Sequence, residues 1–440
     1  MTRFILAIRF ALAFVLLAYP AYAEIKIEPV TSPGGIKAWL VQDKGIPFTA
    51  LEIQFRGGTS LDLSGKRGAV NLMTALIEEG AGDLDSQGFA AARDGLAAEF
   101  SFSSGTDSVG VSARFLTENR DQAVDLLQSA LVNPRFDQVA VDRVRGQVIA
   151  NLQSNEKDPG TLAGEAFNRM AFGDHPYGSS GDGTIDSVTA LTRDDIVAAH
   201  KGAIAHDRIY VAAAGDISAT DLGLLLDKLL GDLPKTGAAL PSRVDWSLKG
   251  GVTVQDFPTP QSTILFGQQG IKRDDPDFFA AYILNEILGG GRFSARLMTE
   301  VREKRGLTYG IGTNLVPMDE AEMMVGQFAS ANAKVGEAIQ VVRDEWTKIA
   351  TDGVTAEELA ATKTYLTGSY PLRFDGNGQI AKVLVGMQME DLPIDYAVTR
   401  NAQIEAVTLD DVKRVAAQLL TPDALRFVVV GQPVGVKSTD

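Results

Sequence analysis

The sequence predicts an α+β protein made of two homologous halves, each a mostly antiparallel sheet with helices packed on one face. Two observations lead to this class. Residues 191–216 (LTRDDIVAAHKGAIAHDRIYVAAAGD) match residues 407–432 (VTLDDVKRVAAQLLTPDALRFVVVGQ) without a gap, at a constant offset of 216. In each half, strand-like patterns come first and helical patterns follow, which is typical of α+β folds.

Both copies of the repeat predict a capped helix followed by a buried strand. Each opens with Thr-x-Asp-Asp, where Thr192 or Thr408 can cap a helix and the aspartates favour its first turn. The apolar run that closes each copy ends in Gly215 or Gly431. Such a run, bounded by a turn residue, indicates a strand covered on both faces.

Alternation and helical periodicity predict the remaining elements in chain order. In the first half, strands are expected at residues 24–30, 36–41, 49–55, 99–103 and 108–115, and helices at 67–79, from 86, and at 118–131, 136–156 and 161–172. In the second half, strands are expected at 252–255 and 262–268 and helices at 277–288 and 293–304. Prolines and glycines mark residues 234–243 as a linker, so the halves are residues 24–233 and 244–440.

The first 23 residues predict a cleavable secretory signal peptide. Arg3 and Arg9 precede a short apolar run from Phe10 to Leu17, and the segment closes with Ala-Tyr-Ala, so cleavage is expected after Ala23. No later stretch is apolar and long enough to span a membrane. Export with a signal of bacterial type predicts a periplasmic protein.

Charge and composition exclude several classes of function. Without Arg3 and Arg9 the chain keeps 39 basic and 56 acidic side chains, a formal charge of −17, which disfavours nucleic acid as a partner. The absence of cysteine excludes disulfides, thiolate zinc sites and a cysteine nucleophile. The three histidines, His175, His200 and His206, form no pair one helical turn apart, so structural roles are expected for them.

The segment 289–309, GGGRFSARLMTEVREKRGLTY, resembles the second-half signature of the pitrilysin/insulinase zinc peptidases, which include mitochondrial processing peptidase. The resemblance extends over the mature chain through the duplicated halves and the His-Pro-Tyr-Gly loop at residues 175–178. It implies that the two halves form one half of a clam-like chamber. It also implies that Arg302 and Tyr309 reach across that chamber to a substrate carbonyl, as transition-state donors.

The zinc motif of that family is degenerate in this chain. In catalytic members the first helix carries H-x-x-E-H, and a glutamate 76 residues beyond the second histidine completes the site. Here Asn71 and Ala75 stand at the histidine positions, Thr74 at the general base and Asn151 at the third ligand. Alanine cannot bind a metal, and amides and hydroxyls are weak zinc ligands, so no metal is expected in this chain.

The residues that remain predict a non-catalytic subunit of a two-chain periplasmic zinc peptidase. A homologous partner carrying H-x-x-E-H would hold the zinc, and this chain would supply Arg302, Tyr309 and a chamber wall for a peptide or unfolded polypeptide. Gly289, Gly290 and Gly291 either contact substrate or only turn the chain tightly, and both interpretations stay open. Two other functions also stay open: a non-enzymatic peptide-binding or assembly protein, and an independent metallopeptidase with a displaced site.

Overall fold

The computed structural model describes residues 26–439. The predicted signal peptide therefore lies outside the described residues. Within residues 26–439, no helix is both long enough and apolar enough to cross a membrane. The fold is α+β, as predicted, and contains two main sheets.

Six strands form the first sheet. They are β1 (Glu28–Thr31), β2 (Lys37–Gln42), β3 (Phe48–Arg56), β4 (Glu99–Ser104), β5 (Ser108–Leu116) and β6 (Ile209–Gly215). Their order across the sheet is β1-β2-β6-β3-β5-β4. All neighbours are antiparallel except β2 and β6, which run parallel.

Five strands form the second sheet. They are β7 (Gly251–Asp256), β8 (Gln261–Gln269), β9 (Ile311–Pro317), β10 (Glu322–Ala331) and β11 (Arg426–Gly431). Their order is β9-β10-β8-β11-β7, again antiparallel except for one pair, β11 with β7. Read from its parallel edge, the second sheet repeats the order of the first from β2 to β4. The sheets therefore share one topology, as expected from a duplicated sequence.

The described part of the chain has eight α-helices in the first half and six in the second. Those of the first half are α1 (Ala69–Leu76), α2 (Ser86–Gly95), α3 (Arg120–Val132), α4 (Gln138–Asn155), α5 (Pro159–Phe172), α6 (Ile185–Ala190), α7 (Arg193–Ala203) and α8 (Ala219–Leu230). Those of the second half are α9 (Phe278–Leu288), α10 (Val335–Asp352), α11 (Ala356–Ser369), α12 (Asn377–Met389), α13 (Tyr396–Ala406) and α14 (Leu409–Leu419).

The repeated Thr-x-Asp-Asp sequences cap α7 and α14 identically. Thr192 Oγ1 accepts a hydrogen bond from the Asp195 amide, and the Asp195 carboxylate accepts one from the Thr192 amide. Thr408 and Asp411 repeat both bonds at the start of α14. Each box satisfies amides that the first turn of a helix leaves without partners.

Each half covers the other's sheet with one helix. The face of each sheet that its own helices leave open receives α5 or α12 from the opposite half. Helix α5 packs through Phe167 on β8 and β11, where it meets Val428 and Val430. Helix α12 packs on β3 and β6 through Ala381 and Leu384. Strands β6 and β11 are therefore buried on both faces, which accounts for their uninterrupted apolar sequences.

One predicted helix differs in the structure. The pattern at residues 293–304 predicts a helix over that range, but the helical segment covers residues 296–303, and Met298–Glu303 is π-helical. The Lys304 amide donates to the Thr299 carbonyl, a bond five residues back along the chain, and Gly306 then turns with a φ of 58°. π-Helical turns of this kind are frequent at functional sites.

Candidate functional site

Arg302 lies on the π-helical segment with its donors uncommitted. Its guanidinium carbon sits 5.0 Å from the centre of the Phe293 ring. Within residues 26–439, the Arg302 side chain makes no ion pair or hydrogen bond, whereas its neighbour Arg305 bonds the Glu300 carboxylate at 2.7 Å. The aromatic face thus positions the Arg302 cation while leaving its N–H groups available.

Tyr309 projects from the turn between the π-helical segment and β9. Its side chain is 88% exposed, and its hydroxyl has no hydrogen-bond partner within the described range. The turn itself is fixed on both sides, because Ser330 Oγ donates to the Leu307 carbonyl and the Gly310 amide donates to Thr308 Oγ1. An exposed phenol on a fixed turn suits contact with another molecule.

The three glycines before Arg302 have different surroundings. Gly289 and Gly290 are buried, and both amides donate to the Asn285 carbonyl at the end of α9. A side chain at Gly289 would meet Thr313 Oγ1 at 2.5 Å, and one at Gly290 would meet Glu286 at 2.6 Å. Gly291 is exposed and has free space around it. Gly289 and Gly290 thus permit close packing, and only Gly291 is open to a ligand.

The four positions that the resemblance assigns to the zinc motif lie on two packed helices. Asn71, Thr74 and Ala75 are on α1 and Asn151 is on α4, which contacts α1. Thr74 is buried and its hydroxyl donates to the Val70 carbonyl at 2.8 Å. Asn71 Oδ1 accepts a bond from Ser104 Oγ at 3.2 Å.

These residues do not fit a zinc ion. The Thr74 hydroxyl and the Asn71 carbonyl oxygen are already engaged within the chain, and Ala75 has no donor atom. Across residues 26–439 no group of three or more histidines, aspartates or glutamates is placed to hold a metal ion.

The histidines take structural positions. His200 is buried in α7 with Nε2 2.9 Å from the Leu131 carbonyl, and burial lowers its pKa to about 4. His175 Nδ1 accepts a bond from the Tyr177 amide and Nε2 meets the Ser242 carbonyl, so this ring shapes the His-Pro-Tyr-Gly loop. His206 Nε2 lies 3.3 Å from the Gly231 carbonyl.

The two candidate regions are each built within one half of the chain. Helix α1 contacts α4, α7 and β4 of the first half, whereas the Arg302 segment contacts β9 and α10 of the second. Strand β4 lies beside Asn71 and forms the edge of its sheet, with β5 as its one partner among the described strands. A strand edge therefore borders the degenerate zinc position.

Two features of the structure were not predicted from the sequence. Phe293 supports the Arg302 guanidinium, although it lies in a stretch that predicts helix and nothing in its spacing indicates a stacking role. A cluster of charges joins the halves, with Arg56 Nε 3.5 Å from Asp319 Oδ2 and the Asp319 amide 3.3 Å from Asp107 Oδ2. These residues are far apart in the chain, so no local pattern signals the cluster.

Comparison with known proteins gives matches along most of the chain. The family described as insulinase (peptidase family M16) matches residues 38–184, and the peptidase M16 inactive domain matches residues 190–366. A Helicobacter pylori protein named non-peptidase homolog YmxG is 25% identical, over 88% of this chain and 89% of its own. An uncharacterized zinc protease of Streptomyces coelicolor is 26% identical, over 90% and 87% of the two chains.

A solved structure agrees with these matches. The crystal structure of a peptidase M16 inactive domain from Pseudomonas fluorescens aligns with a TM-score of 0.88 and 29% identity, covering 94% of this chain and all of that one. The shared architecture and both family matches lead to the same assignment. The chain belongs to peptidase family M16, the insulinase family predicted from the segment 289–309.

Proposed function

We propose that this chain is the non-catalytic subunit of a heteromeric zinc peptidase and works in the periplasm. A homologous partner with an intact H-x-x-E-H helix would bind the zinc and carry out the hydrolysis. This chain would contribute Arg302 and Tyr309 as donors to the substrate carbonyl, together with one wall of the chamber. The predicted signal peptide supports the periplasmic location.

One observation carries the proposal. The chain has lost every zinc-binding group at Asn71, Ala75 and Asn151, yet it presents Arg302 and Tyr309 with free donors. Groups held for their own fold would be expected to bond nearby partners, as Arg305 does with Glu300. Donors without internal partners instead suit an oxygen supplied by another molecule, at which negative charge develops during hydrolysis.

The open edge of β4 supports a role in holding an extended peptide. An edge strand offers unpaired backbone N–H and C=O groups, which a peptide can pair with as an added strand. Alternate residues of β4 are exposed, and the strand ends at Ser104 beside Asn71. A peptide added there would run past the position that zinc occupies in catalytic members.

The test is peptide hydrolysis by the complex purified with its zinc-bearing partner. Arg302→Ala and Tyr309→Phe should each lower kcat/KM by about 100-fold, the effect of removing one transition-state donor. Arg305→Ala is the matched control, because Arg305 is a nearby cation already paired with Glu300. Subunit association, followed by gel filtration, should not change. Unaltered hydrolysis in both variants would refute the assigned role.

A second function, peptide binding without hydrolysis, is favoured by the relative named as a non-peptidase homologue. It predicts that the chain binds unfolded polypeptide and co-purifies with no zinc-bearing subunit. Affinity purification from the native host separates the two functions, since only a peptidase subunit should bring a zinc protein with it in equal amount.

A further inference from the structure

A cavity of about 470 Å³ lies between α9, α12 and α13, close to the glycines at residues 289–291. Its inner wall includes the buried side chains of Asn285, Met387 and Arg400, and its mouth includes the exposed side chains of Arg373 and Lys382. The volume is in the range of about 300–1,000 Å³ that is usual for ligand sites.

The lining of the cavity is positively charged in a strongly acidic protein. Four cations line it, namely Arg273, Arg373, Lys382 and Arg400, against two carboxylates, Glu286 and Glu390. None of the four cations forms an ion pair within residues 26–439, although Arg56, Arg296 and others in the chain do. Unpaired cations in a recess favour an anionic ligand, because the surrounding protein weakens the screening by water.

Aromatic rings supply the apolar part of the lining and hold two of the cations. The Arg273 guanidinium lies 4.3 Å from the centre of the Phe278 ring and donates to the Tyr396 hydroxyl at 3.0 Å. The Arg400 guanidinium lies 4.3 Å from the centre of the Tyr370 ring. Stacking fixes guanidinium groups without neutralising them, so the cavity joins cationic donors to an apolar surface.

A spare acceptor lies on the inner wall. Asn285 is only 3% exposed; its Nδ2 donates to the Thr313 carbonyl at 3.2 Å, and its Oδ1 has no partner in the described chain. The Oδ1 atom is itself buried, so it is not exposed to a ligand in the cavity. The lining therefore matches a carboxylate and an apolar group on one molecule.

We propose that this cavity binds the C-terminal end of a polypeptide, taking the free carboxylate at the cations and an apolar or aromatic last side chain against the rings. The proposal rests on the peptide-holding function above and names the part of the peptide that is held. A free small carboxylate shares some of this chemistry. The peptide is favoured because the proposed function already gives this chain an extended polypeptide to hold.

Fluorescence anisotropy with the isolated full chain tests the site. The probes are a labelled Gly-Ser-Gly-Ser-Ala-Phe peptide with a free carboxylate, the same peptide as its C-terminal amide, and N-acetylphenylalanine as a competitor. The free acid should bind at least tenfold more tightly than the amide and than N-acetylphenylalanine. The double variant Arg373→Ala/Lys382→Ala, which changes only exposed side chains, should lose that preference, whereas Lys201→Ala, an exposed cation on α7, should keep it.

Three results would overturn the proposal: equal binding of acid and amide, equal binding of N-acetylphenylalanine, or an unchanged preference in the double variant. The outcome is separate from that of the subunit proposal, because this measurement needs no zinc partner. Unaltered hydrolysis in both Arg302→Ala and Tyr309→Phe would refute the role assigned to this chain in the peptidase and leave the carboxylate preference intact. If the unaltered chain shows no preference for the carboxylate while Arg302→Ala strongly lowers hydrolysis, only the proposal for the cavity is refuted.

Discussion

At the residue scale, the positions that the resemblance assigns to the zinc motif lie on two packed helices and carry no histidine or carboxylate. Asn71 and Ala75 are one turn apart on α1, and Asn151 lies on α4, which packs against α1. Asn71 is half-buried and Ala75 and Asn151 are exposed, so larger side chains fit at all three without displacing core. Histidine and glutamate side chains could therefore be introduced at these positions.

We expect the triple variant Asn71→His/Ala75→His/Asn151→Glu to bind about one zinc ion per chain, because two histidines and a glutamate form a common catalytic zinc set. Metal analysis after dialysis measures it, with the unaltered chain as the control. Hydrolysis should stay absent, since Thr74 cannot act as the general base. A variant that folds but retains no zinc would show that the helices no longer hold the geometry of the family site.

Titration of His200 should lower the stability of the protein as the pH falls. Burial lowers its pKa to about 4, against an ordinary value near 6.5. Between these values the unfolded chain binds the proton more than the folded chain does, so the free energy of unfolding should fall as pH drops from about 6.5 to about 4. The full loss is about 3 kcal/mol, from about 1.4 kcal/mol for each unit of difference.

Urea unfolding of the wild type and of His200→Ala between pH 4 and pH 7 measures this dependence. Near pH 7 the variant is destabilised by the lost bond to the Leu131 carbonyl, and the difference between the two proteins should shrink as pH falls. The second copy of the repeat has Ala416 at this position, so alanine is compatible with the helix. A difference that is constant across the range would contradict the lowered pKa.

At the scale of elements, local signals in the sequence predicted most of the fold. The strands and helices expected from alternation and periodicity occur within a few residues of their predicted bounds, because caps and side-chain period are local properties. The π-helical segment was not predictable, since its bonding depends on packing against β9 and α10. The apolar runs of β6 and β11 indicated burial but not that helices of the opposite half provide it.

Capping of α14 provides a prediction at this scale. Thr408→Ala should lower the free energy of unfolding by about 1 kcal/mol, because it removes the acceptor of the Asp411 amide. Thr408→Ser keeps that acceptor and should stay within about 0.5 kcal/mol of the wild type. Chemical unfolding of the three proteins gives the comparison. Equal losses in the alanine and serine variants would mean that the hydroxyl bond contributes nothing.

At the scale of the whole molecule, the halves are joined by exchanged helices and by a half-buried cluster of charges. Phe167 and Leu384 belong to helices that complete the core of the other half, so neither sheet is covered without its partner. The contacts cross a long span of chain, which explains why the sequence predicted two halves but not the way in which they join. The sequence likewise did not show the cavity, whose lining comes from separate helices.

Titration of the charge cluster between the halves should change the free energy of unfolding with pH in the opposite direction to titration of His200. Asp319 is on the β9–β10 turn, and burial raises its pKa to about 6, with help from Asp107 and against the pull of Arg56. A raised carboxyl pKa means that the folded chain binds the proton more strongly than the unfolded chain does. Ionisation of Asp319 should therefore reduce the free energy of unfolding as pH rises from about 4 to about 6.

Asp319→Asn tests this effect because it removes the titrating group and keeps the backbone amide that donates to Asp107. Relative to the variant, the wild type should be most stable near pH 4 and lose that advantage as pH approaches 7, in unfolding measured by urea. Asp391→Asn is the matched control, since that side chain also lies 3.5 Å from an Arg56 nitrogen but is 76% exposed. If both substitutions change the dependence of stability on pH alike, any negative charge near Arg56 has this effect, and the burial of Asp319 is not its cause. If only Asp319→Asn changes it, the burial of Asp319 at the junction makes the association of the two halves depend on pH.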